Sequence, residues 1–202
     1  AQLLQTRRPG RYQFHDLLRL FGRQFAAERY PERDRLAAVT RLITFYTATA
    51  WRSLLLLRPG DHRLATADPR WTSGGQVFSD VTQVVEWTEL ERGNLLAAVA
   101  QAASATPAVP AELAGQLTRA LSACFDRRGY WQDLRRASQV VLELALRGAD
   151  RAGQAYAHSD LGFACRRLGR YRDAATHLEA ALCLFRELDD LPGQAYSLGN
   201  LG

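Results

Sequence analysis

The chain has 202 residues and a formal net charge of +5, with 47% hydrophobic and 23% charged residues. This is the balance of a globular chain long enough to bury a core in one or two domains, and it excludes a disordered tail. The longest aliphatic run, Leu54 to Leu57, falls far short of the ~20 apolar residues that a spanning helix needs, so no membrane contact is expected.

The charge is uneven. All 26 basic residues are arginine, thirteen of them within residues 1–70 against six acids; the remainder holds thirteen against fifteen. A basic front can meet nucleic acid or an anionic nucleotide, or can be a solvated surface. Cys124, Cys165 and Cys183 are an odd number, widely spaced within helical patterns, and read as buried, reduced thiols of a cytoplasmic protein. No basic stretch followed by an apolar run opens the chain, so no secretory signal is read here.

Residues 3–14 predict strand, turn, strand, with Pro9-Gly10 in the turn and Tyr12 to Phe14 returning. Asp16 can cap a helix carrying Leu17, Leu18, Phe21 and Phe25 on one face. A longer helix starts near Pro31 and keeps an apolar stripe of Leu36, Val39, Ile43, Tyr46, Ala50 and Leu54 until Arg58-Pro59-Gly60. Residues 61–79 lack periodicity and predict either a domain boundary or a strap that packs through Trp71 and Phe78. Asp80 with Gln83, and Thr88 with Glu91, have capping-box spacing and predict two helix starts around Trp87. Pro107 and Pro110 end that region, and helical hairpins are expected from Ala111 onward.

The hairpins carry an internal repeat. Gly193 to Gly202 (GQAYSLGNLG) echoes Gly153 to Gly162 (GQAYAHSDLG), and Arg128 to Asp133 aligns with Leu168 to Asp173 at the same offset of forty. A fixed period in this range marks stacked helical units that cannot bury their apolar faces alone. Leu161-Gly162, Gly169, Tyr171, Ala174, Leu178 and Ala181 occupy the signature positions of the tetratricopeptide repeat (TPR), which this segment resembles. Gly169 is placed for a left-handed helix stop; small residues at Gly162, Ala174 and Ala181 permit close helix approach. The preceding unit is degenerate, because Arg135 and Ser138 stand where small or apolar residues are expected. In TPR arrays the first helix of each unit lines the concave face, which here implies Tyr156, Ser159, Phe163, Arg166 and Arg167 as contacts to a protein or peptide partner, unless the aromatics pack between hairpins. The last unit stops partway. The chain also lacks an initiating methionine, so a piece of a longer protein is expected. In such a piece Leu178, Leu182 and Leu198 lack a covering neighbour, and self-association follows.

Chemistry is sparse. Without lysine there is no P-loop in this segment, and no Gly-x-Ser-x-Gly, His-Glu-x-x-His or Cys-x-x-Cys occurs. No catalytic residue and no metal ligand set is read, and the segment is not expected to be an enzyme.

Phe14-His15-Asp16-Leu17-Leu18, after a wing-like hairpin and opening a helix, resembles the Met-His-Asp motif of STAND-class switch ATPases, including NB-ARC proteins. The resemblance implies that His15 contacts a phosphate of ADP or ATP in the parent protein; Phe14 stands where methionine is usual. Together with Trp87 to Val99, Leu168-Gly169-Arg170-Tyr171 and the Leu-Gly hairpin endings, the chain resembles STAND regulators of the Streptomyces antibiotic regulatory protein type (AfsR/DnrI-like). The arginine-only composition fits the GC-rich genes of actinobacteria. The implied architecture is all-α: a winged-helix remnant with a small β-hairpin (1–60), a linker (61–79), a helical adaptor (80–110) and an α-α superhelix of TPR hairpins (111–202). The implied role is a sensor or autoinhibitory segment of a nucleotide-switched transcription regulator, with DNA bound only through domains upstream. The alternative is a free-standing TPR adaptor without a switch.

Overall fold

The computed structural model describes residues 4–8, 11–104, 110 and 112–202; Leu3, the Pro9-Gly10 turn, Pro107 and Ala111 lie outside them. The chain is predominantly helical and divides into two compact units, 1–39 and 40–202.

In the first unit, strands β1 (Leu4–Arg8) and β2 (Arg11–Phe14) pair antiparallel, Leu4 opposite Phe14 and Thr6 opposite Tyr12. Helix α1 (Asp16–Arg29) follows at once. Its N-cap is His15 rather than Asp16: the His15 Nδ1 accepts the Leu17 backbone N–H at 3.4 Å, and Asp16 is the first helical residue. An acid there still complements the positive helix end. The apolar stripe of α1 is bare, with Leu17 72%, Phe21 63% and Phe25 49% exposed.

Helix α2 spans Glu32–Leu57 and buries Ile43, Ala50, Trp51 and Leu54. Residues 61–79 are not a structureless connection. A 3-10 turn (His62–Thr66) and helix α3 (Pro69–Thr72) are capped by Asp61 and Asp68. Trp71 is buried, Phe78 lies 5.7 Å from Trp87, and the Gln76 N–H donates to Thr49 Oγ1. Gly75 presses onto α2 so closely that a Cβ there would lie 2.5 Å from the Thr49 nitrogen. Periodicity could not reveal this strap, because it is held by aromatic anchors and backbone contacts instead of a repeating apolar face.

Helix α4 runs unbroken over Val81–Ser104. Asp80 accepts the Gln83 N–H as a cap, but the second expected start is absent. Thr88 instead bonds back to the Val84 carbonyl inside the helix, and Glu91 accepts from Tyr46 and Asn94. Capping-box spacing mid-helix was being satisfied by other partners.

Helices α5 (Glu112–Arg128), α6 (Trp131–Arg147), α7 (Arg151–Arg167), α8 (Tyr171–Glu187) and α9 (Leu191–Leu201) stack as consecutive hairpins. Each packs on the next, and α5 also meets α7 as α7 meets α9. The joints recur every twenty residues: Gly129, Ala149, Gly169 and Asp189 all take positive φ, 52–73°. At each, the following N–H (Tyr130, Asp150, Arg170, Asp190) bonds five residues back, to Phe125, Ala145, Cys165 and Phe185. This is the left-handed stop expected at Gly169, repeated four times. Asp150 and Asp190 then cap α7 and α9 through the N–H groups of Gly153 and Gly193.

Gly162 sets the spacing of α7 on α8, since a Cβ there would sit 2.5 Å from Leu178 Cγ. Burial of Leu178 and Phe185, at 1% and 0% exposure, contributes roughly 1.5–3 kcal/mol each. Leu178 and Leu182 are therefore covered, contrary to expectation, because α7 and α9 flank them; Leu198 alone of the three is bare, at 52%. Cys183 is exposed, whereas Cys124 and Cys165 are buried as expected.

Candidate functional site

The most heavily charged interior of the chain lies where the 3-10 turn meets α5, α7 and α9. Arg63, the largest fully buried side chain, is 2% exposed. Its guanidinium donates to the Arg119 carbonyl at 3.3 Å and the Tyr196 hydroxyl at 3.2 Å, and pairs with Asp61 and Asp160 at 3.5 Å each. Burial alone would weaken the hold of Arg63 on its proton, but Asp160, Tyr196 and Asp61 outweigh it and the pKa is raised. Burial pushes the Asp160 carboxyl up to about 6, with Arg63 and Arg119 offsetting part of the shift. For Asp160 the loss of water outweighs its arginine neighbours, whereas for Arg63 the nearby acids outweigh the loss of water.

Arg119 is the second buried arginine. Its guanidinium carbon stands 3.4 Å from the Tyr156 ring centre, and Tyr156 donates to Asp190 at 2.7 Å. The Tyr156 ring meets Phe185 edge-on, 5.1 Å between centroids. His62 stacks against Tyr196 at 4.7 Å. The seam therefore joins a segment from the front of the second unit to three helices of the repeat.

The five residues expected to meet a partner separate into two groups. Tyr156, Ser159 and Phe163 are buried, at 9%, 3% and 7% exposure. Arg166 and Arg167 are exposed. Arg167 pairs with Asp126 at 3.0 Å and lies over the Trp131 ring at 4.6 Å, while Arg166 lies 5.9 Å from the Phe163 ring. Asp126 also receives Arg58 and the Trp131 indole N–H, so it ties α5, α6 and α7 to the end of α2. In the first unit His15 is exposed at the start of α1.

Two groupings escaped sequence reasoning. His158 on α7 and His177 on α8 meet Nδ1 to Nδ1 at 3.0 Å, so only one of the facing nitrogens carries a proton. Spacing along one helix cannot pair them, because the partner is across the hairpin. Arg63 gave no signal because the groups that bury it beyond Asp61, namely Arg119, Asp160 and Tyr196, lie 56 to 133 residues away. Among the described residues, no cluster of three or more His, Cys, Asp or Glu could hold a metal ion. No helix of the described residues is long and apolar enough to cross a membrane.

No protein-family profile matches the chain, and no solved structure matches it. Two curated proteins align with all of it: "Regulatory protein AfsR" of Streptomyces coelicolor at 27% identity and the protein of the same name from Streptomyces griseus at 29%. In both cases the chain spans 24% of the relative's length. From the strands through the last hairpin, the chain is AfsR-like in sequence.

Proposed function

We propose that these residues form the regulatory helical-repeat segment of an AfsR-like, nucleotide-switched transcription regulator. Its hairpins would take up a protein or peptide effector, and the winged-helix remnant at residues 1–60 would face an upstream nucleotide-binding domain. The observation that carries the reading is similarity along the entire chain to two proteins named as regulators. Stacked hairpins with regular joints suit a surface that binds other molecules, and the bare stripe of α1 suits a face that another domain covers.

His15 fits the switch chemically. An Nδ1 that accepts the Leu17 N–H leaves the ring proton on Nε2, a donor suited to a phosphate oxygen at a helix start. Promoter binding, on this reading, belongs to segments outside these residues. Coupling then requires an effector that binds two conformations unequally.

The test is nucleotide retention by the full-length gene product. Purified wild-type protein should carry bound ADP, and His15→Ala should lose most of it while keeping its helical circular dichroism. A full-length gene product with no nucleotide domain, or one whose retention ignores His15→Ala, would leave the adaptor reading in its place.

A further inference from the structure

The space between α5, α6 and α7 is the counterpart, one repeat earlier, of the best-filled space in the chain. Between α7, α8 and α9 a buried cluster is formed by Ala155, Tyr156, Ala181, Leu184 and Phe185. Forty residues earlier stand Gly115, Gln116, Val141, Leu144 and Ala145. All five line an open pocket of about 450 Å³, within the range of small-molecule sites.

The pocket is a pair of missing rings. Ala145 replaces Phe185, and Gln116 replaces Tyr156. The glycine that faces the ring is nevertheless kept. Gly193 admits Phe185, since a Cβ there would lie 2.5 Å from the ring; its counterpart Gly153 lines the pocket with the Ala145 Cβ 3.2 Å from the same point and the Asp150 carboxylate closer still. Close-packed interiors do not leave such voids without loss of stability.

A second departure from the repeat supplies charge. Ser159 of the later unit is replaced by Arg119, which lines the same pocket and is only 9% exposed. Its guanidinium lies on the Tyr156 ring at 3.4 Å, and its Nε has no hydrogen-bond partner; nor has the buried Gln116 Oε1. A buried cation in that position favours an anion. The other charged groups lining the pocket are already engaged: Asp150 caps Gly153, and Glu112 pairs with Arg70 at 3.3 Å. They disfavour a second negative charge on the occupant.

We propose that this pocket binds a small aromatic monocarboxylate, its ring against Val141, Leu144 and Ala145 and its carboxylate on Arg119. The site lies wholly within residues 112–156 and stands whether or not a nucleotide switch precedes it.

The experiment titrates the 202-residue chain with phenylacetate and 4-hydroxyphenylacetate by calorimetry. Phenethylamine (same ring, opposite charge) and acetate (same charge, no ring) are the controls. Both aromatic acids should bind saturably, and both controls at least tenfold more weakly. Ala145→Phe, which restores the ring of the next repeat, should abolish binding and raise the unfolding midpoint. Gln116→Tyr should likewise block the site, and it carries the test if Ala145→Phe does not fold. Arg119→Ser should remove the preference for the acid over the amine. Equal affinity for phenethylamine, unchanged binding after both filling substitutions, or no saturable binding at millimolar acid would each overturn the proposal.

Discussion

Arg63 and Tyr196, 133 residues apart in sequence, meet with the guanidinium donating to the phenolic oxygen at 3.2 Å. The bond closes the 3-10 turn onto the last helix of the repeat, and Asp160 completes the pair from α7. Arg63→Ala leaves Asp160 and Asp61 buried without their cation, which costs about 3–5 kcal/mol when a dry pair is broken. Denaturant unfolding should show that loss, and limited proteolysis should begin cutting within residues 61–79. A loss under ~1 kcal/mol would mean water already reaches the pair.

The histidine pair gives the chain a pH response of opposite sign to Asp160. Burial, together with the neighbouring His177, holds His158 below its usual value of 6.5; burial also lowers His177, with Asp173 opposing and Arg170 assisting. The unfolded chain then binds more protons as pH falls through 6.5, so this stability is present above that value and lost below it. Asp160, raised to about 6 from 3.8, does the reverse: between those values the folded state holds the extra proton and acidification favours it. His158→Gln should therefore lose less stability than wild type between pH 7.5 and 5.5, and Asp160→Asn should lose more. Urea midpoints at the two pH values decide it, and parallel shifts in all three proteins would refute the assignment.

Legibility followed periodicity. The hairpins could be read because Leu161, Leu178, Ala181 and Phe185 recur at helical spacing and the pattern returns after forty residues. Gly169 gave the joint because few residues other than glycine accept positive φ readily. The strap at 61–79 could not be read, since Arg63 is held by partners far along the chain and Trp71 and Phe78 are buried or stacked singly, with no repeating face. Tyr156 and Phe163 showed a helical face but not its neighbour: the same spacing serves a concave surface and an inter-hairpin core, and the structure buries both. Gln116 and Ala145 look unremarkable alone and gain meaning only beside Tyr156 and Phe185.

Glycine substitutions separate close approach from helix propensity. At Gly162 a methyl would meet Leu178 Cγ at 2.5 Å and the Ala174 carbonyl at 3.2 Å, whereas at Gly93 in α4 nothing lies within 4 Å. Gly93→Ala should stabilise by up to ~1 kcal/mol through propensity alone. Gly162→Ala gains the same term but must separate α7 from α8, and overpacking of about 1–3 kcal/mol wins. Thermal midpoints moving in opposite directions are the expected result; two increases would show that Leu178 yields.

Thiol chemistry should single out Cys183. It is exposed on α8, its sulfur 3.8 Å from Glu187, while Cys124 and Cys165 are buried. Burial pushes the Cys124 thiol up to about 11, so almost none is thiolate at neutral pH. A maleimide probe added to the native chain should label one site within minutes, mapped by mass spectrometry to Cys183, and three sites after unfolding in guanidinium. Cys183→Ser should abolish the native labelling. Native modification of Cys124 at a comparable rate would show that the core around α5 opens far more readily than its packing implies.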